Sequence, residues 1–309
     1  LVMKYSSDLY PVRNGSMADD ILRSSMQRLT GMLLLFLLAS GELLADAKEE
    51  KSSHIGKPLW ELGLGGFTGY LPHYPAAGES SMRYFAAPIP IYRGKILRVG
   101  EENRGAVSGR FIDKKRYEFD ITLSAAFPVK SGSNDAREGM PDLDYLFGIG
   151  PQFILKLIDE PGHRNLNLNL QARAVYSTDF SSVNSQGYVF NPKLRYSREN
   201  LTGIDLKFSS SVGPIFATED LMDYFYEVQP EFITPKRPAF DADAGYLGTN
   251  LTFAVSKRFN NRFRLWVGTR FGIHNGATND DSPLFKDEIN TSVFMAFFWS
   301  IFKSEKPAR

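Results

Sequence analysis

The 309 residues carry 36 Lys and Arg against 35 Asp and Glu, a formal net charge of +1, without the basic excess of a nucleic-acid-binding chain. Cysteine is absent, which excludes a disulfide framework and any thiolate metal site. Apolar residues make up 43%, with 24 Phe and 14 Tyr, a composition that suits a buried core or a lipid-facing belt equally, so the pattern along the chain decides.

The first patterned segment is apolar Gly31 to Ala39, preceded by Arg28 and followed by Ala45-Asp46-Ala47. A basic flank, a short apolar stretch and an A-x-A site form a secretory signal peptide. The stretch is about half of the ~20 residues that a spanning helix needs. Cleavage is expected after Ala47, making 1–47 an N-terminal extension and signal peptide and 48–57 a short periplasmic segment. Asp8, Asp19 and Asp20 do not suit a signal n-region, which points to Met26 as the natural start. No later run approaches ~18 apolar residues, so no transmembrane helix is expected. An exported chain of this kind is periplasmic, extracellular or an outer-membrane barrel.

Next come segments that alternate with period two. In the clearest, Tyr117, Phe119, Ile121, Leu123, Ala125 and Phe127 share one face, while Glu118, Asp120, Thr122, Ser124 and Ala126 share the other. A second places Leu166, Leu168, Leu170, Ala172, Ala174 and Tyr176 opposite Asn167, Asn169, Gln171 and Arg173. This length and period fit a tilted barrel strand, apolar outward and polar inward. Weaker copies recur, including one that puts Leu247, Leu251, Phe253 and Val255 on the outward face.

Strands are expected at 58–68, 83–92, 95–100, 105–112, 116–128, 144–157, 165–177, 187–197, 203–214, 245–257, 262–274 and 288–302. The fold class is therefore an all-β antiparallel transmembrane barrel of about twelve strands, or about ten if the short pair near 95–112 drops out. Pro88 and Pro90 sit in the second strand although proline cannot donate to a ladder. The connections alternate short and long, with 69–82, 129–143, 178–186, 215–244 and 275–287 the longer ones and only 101–104 breaking the rule. Barrels of this class have short periplasmic turns and long external loops. Tyr117, Tyr145, Tyr176, Tyr188, Tyr196 and Phe263 fall at strand ends on the apolar face, where an interfacial girdle belongs. The barrel spans 58–302, its last strand ends in Phe302, and a charged tail, 303–309, follows.

From about Trp60 to Phe302 the chain resembles the MltA-interacting protein family, MipA/OmpV. The resemblance rests on Trp60 to Gly66 (WELGLGG), Asn134 to Asp144 (NDAREGMPDLD), Met222 to Tyr226, Asp243-Ala244-Gly245 and Asp281 to Leu284, in that order. Asn134, Asp135, Arg137, Glu138, Asp142 and Asp144 carry the most specific of these motifs. The resemblance implies an outer-membrane barrel of a Gram-negative bacterium. It also implies a scaffold that links a murein lytic transglycosylase to a murein synthase.

Of the four histidines, His54 precedes the first strand, His73 lies in an external loop, His163 in a periplasmic turn and His274 at the external end of a strand. No nucleophile–histidine–acid set, catalytic residue, cofactor or metal site is expected. The acidic loops, with Asp280 and Asp281 besides the motif acids, read as solvated charge with salt bridges through Arg137. On the inward faces stand Glu118, Asp120, Arg173, Lys193, Arg195, Lys207, Arg264 and Arg270. Such a lumen is either a narrow channel with a basic wall that passes small anions or a closed interior cross-linked by ion pairs. The expected partners are outer-membrane lipid and periplasmic murein-remodelling enzymes, with no nucleic acid.

Overall fold

The computed structural model describes residues 58–94, 97–99, 107–201 and 205–308. The expected signal peptide, the 48–57 segment with His54, and Ile204 lie outside the described residues. The strands are β1 (Trp60–Pro72), β2 (Ser80–Arg93), β3 (Leu97–Val99), β4 (Val107–Asp113), β5 (Tyr117–Ala126), β6 (Tyr145–Glu160), β7 (Arg164–Thr178), β8 (Val183–Arg198), β9 (Leu206–Ala217), β10 (Gly245–Arg258), β11 (Phe263–Ile273) and β12 (Ile289–Lys303), with one α-helix, α1 (Glu219–Tyr226), between β9 and β10. Chain neighbours pair antiparallel throughout, and β1 pairs with β12, so the sheet closes into a barrel. β3 and β4 are short, 3 and 7 residues. No helix among the described residues is long and apolar enough to cross a membrane, which says nothing of strands.

The barrel is inside-out relative to a soluble one. On β5 the apolar Tyr117, Ile121 and Leu123 are exposed, while Glu118 and Asp120 are 3% and 1% exposed. The register carries this face around the wall. Tyr117 pairs with Leu155, Leu155 with Leu168, Leu168 with Leu194, Leu194 with Val212, Val212 with Leu251 and Leu251 with Phe271. One residue out of step would turn this row into the polar lumen. Phe147, Ile149, Tyr176, Tyr188, Phe190 and Phe216 extend the exposed apolar surface toward one rim. Trp60, Trp299 and Phe302 extend it toward the other. A continuous exposed apolar belt is stable where acyl chains replace water.

The two rims differ. At one, the turns are short, and the segments flanking the first and last strands meet: Leu59 N–H donates to Lys306 O at 2.8 Å, and Pro58 bridges to Pro307. The residues after Phe302 therefore fold back onto the start of β1. We call this the turn end and the opposite rim the loop end. Pro88 and Pro90, two residues apart, withhold their missing donors on the same side of β2. That strand stays paired to β1 over Ser80–Tyr92 and, among the described residues, meets β3 only at Tyr92 and Arg93, so the prolines fit a sparsely paired side of the strand.

Two expectations are corrected. The connection expected as a long loop at 178–186 is a turn of four residues between β7 and β8. Asp179 Oδ1 accepts from the N–H groups of Ser181 and Ser182, both at 2.9 Å, and Phe180 takes φ 71°. The carboxylate thus closes the turn early and lets β8 begin at Val183. The second correction is Leu247. Tyr246 pairs with Phe216 and Gly248 with Ile215, so Leu247 is the extra residue of a β-bulge. A bulge reverses side-chain parity locally, and Leu247 turns inward, 5% exposed.

Candidate functional site: the lumen and its cap

Alternate residues of β5 to β11 point into the barrel, and the charged ones sort into two groups. Toward the turn end the charges are matched. Lys156 Nζ lies 2.6 Å from Glu118, Lys207 Nζ 3.2 Å from Glu199, and Arg93 2.7 Å from Glu61. Arg264 lies over the Trp266 ring, 5.7 Å from its centroid. Asp120 accepts from Gln152 Nε2 at 3.2 Å. Gln152 Oε1 in turn accepts from Gln171 Nε2, and Gln171 Oε1 accepts from Arg173 Nη1 at 3.1 Å. Every amide in this chain donates toward Asp120, so the polarity of the network is fixed from Arg173 down to the carboxylate.

Toward the middle of the barrel the charge is of one sign. Arg173, Lys193, Arg195 and Arg270 stand here on the inward faces of β7, β8 and β11. β8 and β11 are not neighbours in the sheet, with β9 and β10 between them. These are four of the eight lumen residues read from sequence, and all are cations. Lys207, Arg264, Glu118 and Asp120 are engaged as described above.

Above this layer the loop end is capped. One buried apolar cluster contains Tyr74 and Ala77 from the β1–β2 loop and Val129, Met140 and Leu143 from the β5–β6 loop. Leu221, Met222, Phe225, Tyr226 and Val228 join it from the β9–β10 loop, and Leu284 from the β11–β12 loop. Val175, Val189, Ala217 and Leu247 continue it down the inner wall. Helix α1 presents Leu221, Met222, Phe225 and Tyr226 on one face, the i, i+1, i+4, i+5 spacing of an amphipathic helix. Met222 is 0% exposed.

Polar groups staple the loops together. Arg137, buried, donates from Nη1 to Phe225 O at 3.1 Å and lies over the Tyr74 ring at 5.9 Å. Arg237 Nη1 donates to Ala136 O and Glu138 O, each at 3.0 Å. Tyr226 and Tyr74 hydroxyls donate to Pro75 O at 3.0 Å and Leu284 O at 2.8 Å. The expected role of Arg137 in salt bridges between loops is corrected: its Nη1 and Nη2 donate to the carbonyls of Phe225 and Pro141, because burial favours fixed backbone acceptors already inside the cluster.

The other motif residues serve the same assembly. Asn134 Oδ1 accepts from Arg137 N–H at 3.2 Å, and its Nδ2 lies 3.1 Å from His73 Nδ1. Asp135 N–H donates to Glu79 at 3.1 Å. Asp142 accepts from Ser131 N–H at 2.7 Å, which holds its carboxyl below the usual carboxylate range. Asp144 O accepts from the Tyr224 hydroxyl at 3.4 Å. Burial pushes the Tyr224 hydroxyl up to about 12. His274 Nδ1 lies 2.8 Å from Leu247 O, and Leu247 O requires that nitrogen to be the donor. His163, in the β6–β7 turn, offers its carbonyl to Glu199 N–H at 2.8 Å. Among the described residues no cluster of three or more His, Asp or Glu has the geometry to hold a metal ion.

The cap was hidden from sequence reading because its loops look acidic and solvated. The signal that finds it is the apolar spacing Leu221, Met222, Phe225, Tyr226 inside a segment read as loop.

Wall, lumen and cap together define an antiparallel β-barrel with an apolar outer belt, a charged interior and a packed lid at one end. The chain belongs to the MltA-interacting protein MipA family, whose model matches residues 63–301. Among solved structures it is similar to a bacterial polysaccharide outer-membrane secretin, with 8% identity and a TM-score of 0.39, over 79% of this chain and 99% of that one. It is also similar to the NanC porin, with 8% identity and a TM-score of 0.37, over 77% and 100%. Outer-membrane phospholipase A from Escherichia coli is similar at 9% identity and a TM-score of 0.32, over 79% and 94%. At these TM-scores the likeness carries no weight for what the chain does. No curated protein matches the chain.

Proposed function

We propose that this chain is a non-enzymatic outer-membrane barrel of a Gram-negative envelope, with twelve strands, sealed at its external end and acting as a scaffold. The loop end faces outward and the turn end faces the periplasm, the arrangement of outer-membrane barrels. The observation that carries the reading is the cap, where loops from four hairpins share one buried apolar core with the inner wall. A mouth filled this way serves poorly as a pore. The family description, MltA-interacting protein, supports a murein transglycosylase as the periplasmic partner, met by the turn end.

Two measurements test this. In a planar bilayer the purified barrel gives no steady conductance. In intact envelopes, a photo-crosslinker at Gly162, in the β6–β7 turn, captures a murein-cleaving enzyme. A second reading, a narrow anion channel, is favoured by the inward cations Arg173, Lys193, Arg195 and Arg270. Steady conductance with anion preference would establish it in place of the first.

A further inference from the structure

We propose that the wall opens sideways between β2 and the upper end of β5, and that one acyl chain of a membrane lipid enters there to lie along an inner row at Phe85, Phe67 and Trp266. The inference rests on the outer-membrane reading of the apolar belt and goes beyond it.

This part of the wall is closed toward the turn end only. Among the described residues β2 meets β3 at Tyr92 and Arg93, and β4 pairs with β5 no farther up than Ser108 with Thr122. The seven residues between Val99 and Val107 give at most three to either arm of that hairpin, whatever their course, and Phe85 stands seven residues beyond Tyr92. Among the described residues the second edge of β2 over Ser81 to Pro88 therefore has no strand beside it. Across the opening, β5 ends at Ala126.

Exposure changes at the same level. On β5 the inward Glu118, Asp120 and Thr122 are buried, whereas the inward Ser124 and Ala126 are exposed. On β2, Tyr84, Phe85 and Ala86 are exposed in succession, so both faces of the strand are reached. Phe85 pairs with Phe67 and is 49% exposed. Phe67 stacks on Phe294 of β12 with ring centroids 6.4 Å apart. Their face is the inner one, because it also carries Asn290, which donates to Ala77 O in the cap at 2.8 Å. Phe127, just past β5, stacks on Phe67 at 6.0 Å, so the two sides of the opening touch behind it. An open edge is tolerated in a membrane wall where it lines a cavity instead of lipid, and this one borders the lumen.

Inside, the register carries an apolar row away from the opening. Phe85 pairs with Phe67, Phe67 with Ala296 and Ala296 with Trp266. Three steps of about 4.8 Å between strands make ~14 Å. That is about half of the ~30 Å hydrocarbon core, and so the length of one acyl chain. Beside the row, Ile89 lies flat over Gly65 and Phe298 over Gly63, where a Cβ would collide with either. The inner surface here is hydrocarbon resting on bare backbone, unlike the polar wall opposite.

The occupant follows from what stands outside. On β5 and β6 the outward belt runs through Leu123, Ile149 and Phe147, all exposed, up to the opening. Acyl chains that cover this belt therefore also stand before the opening. A strand from a second copy fits poorly, because Pro88 and Pro90 withhold two donors that strand addition needs.

The chain has three tryptophans, and they report on the two surfaces separately. Trp60 and Trp299 are exposed on the outward face, and Trp266 stands on the inner row. The intact barrel is placed in dioleoylphosphatidylcholine vesicles and in vesicles whose lipid carries dibrominated chains, which quench any tryptophan they touch. Trp266→Phe leaves the outer pair, and Trp60→Phe with Trp299→Phe leaves the inner one. Loss of fluorescence is expected for both. Ser124→Leu with Ala126→Leu fills the opening from exposed positions and should restore Trp266 emission without changing that of the outer pair. A silent Trp266 beside quenched outer tryptophans, as a second copy sealing the edge would give, overturns this inference alone. So does Trp266 quenching that the filled opening leaves unchanged, since bromine then acts through the wall. Unquenched Trp60 and Trp299 would end the outer-membrane reading and this inference with it. Should the filled variant fail to fold, the wild type decides: a phosphatidylcholine with a diazirine at its chain end should photolabel Phe85 or Phe67, and labels confined to outward residues would overturn the opening.

Discussion

Leu168 sits between Leu155 and Leu194 in the outward row, where the wall meets acyl chains. Leu168→Arg is expected to cost about 2–4 kcal/mol, the depth-dependent penalty for a cation on the lipid face. Reversible urea unfolding in lipid vesicles measures it; a cost below ~0.5 kcal/mol would place the side chain in the lumen. Residues such as this one are readable from sequence because each wall of the strand has a single environment, and alternate positions record it. Leu247 is not, because the bulge that turns it inward adds one residue to one strand and leaves no mark on the composition. The lumen charges stand between these cases. Parity finds Arg173, Lys193 and Arg270, but their enclosure in one lumen depends on closure of the barrel, which no local pattern encodes.

Helix α1 shows how the cap responds to pH. Burial first, then Glu227, Glu219 and Asp241, hold the Asp223 carboxyl up at about 6. The folded cap therefore binds this proton more tightly than an opened one does. Stability from this group is fully present below the ordinary carboxylate range and is lost as pH rises through about 6. His73 and His274, held below the usual imidazole value chiefly by burial, act in the opposite sense, since protonating either as pH falls favours an opened cap. The difference between wild type and Asp223→Asn isolates the carboxyl. Cleavage of the β9–β10 loop by added protease should slow from pH 7.5 to pH 5 in wild type relative to the variant. Equal ratios in the two proteins would reject the assignment. At this scale the sequence reveals strands well and the cap poorly, because loop acids such as Asp142 and Asp144 mask the apolar residues beside them, Met140 and Leu143.

The whole barrel fixes sidedness. Ser133 lies in the β5–β6 loop and Gly162 in the β6–β7 turn, at opposite rims. With no native cysteine, Ser133→Cys should react with an impermeant maleimide on intact cells, and Gly162→Cys only after the outer membrane is breached. The reverse pattern would invert the barrel. The cap has a further consequence for how the molecule comes into being. Its core draws Tyr74 from one end of the chain and Leu284 from the other, positions brought together only once β1 has met β12. The order of events is thereby built in, because contacts so distant in sequence are the last that an assembling chain can make. A lid that cannot seat until the wall is complete acts as a checkpoint. A protease-resistant β9–β10 loop then marks a finished barrel, and a half-inserted one carries its Phe225 and Tyr226 in the open, where quality-control proteases find them.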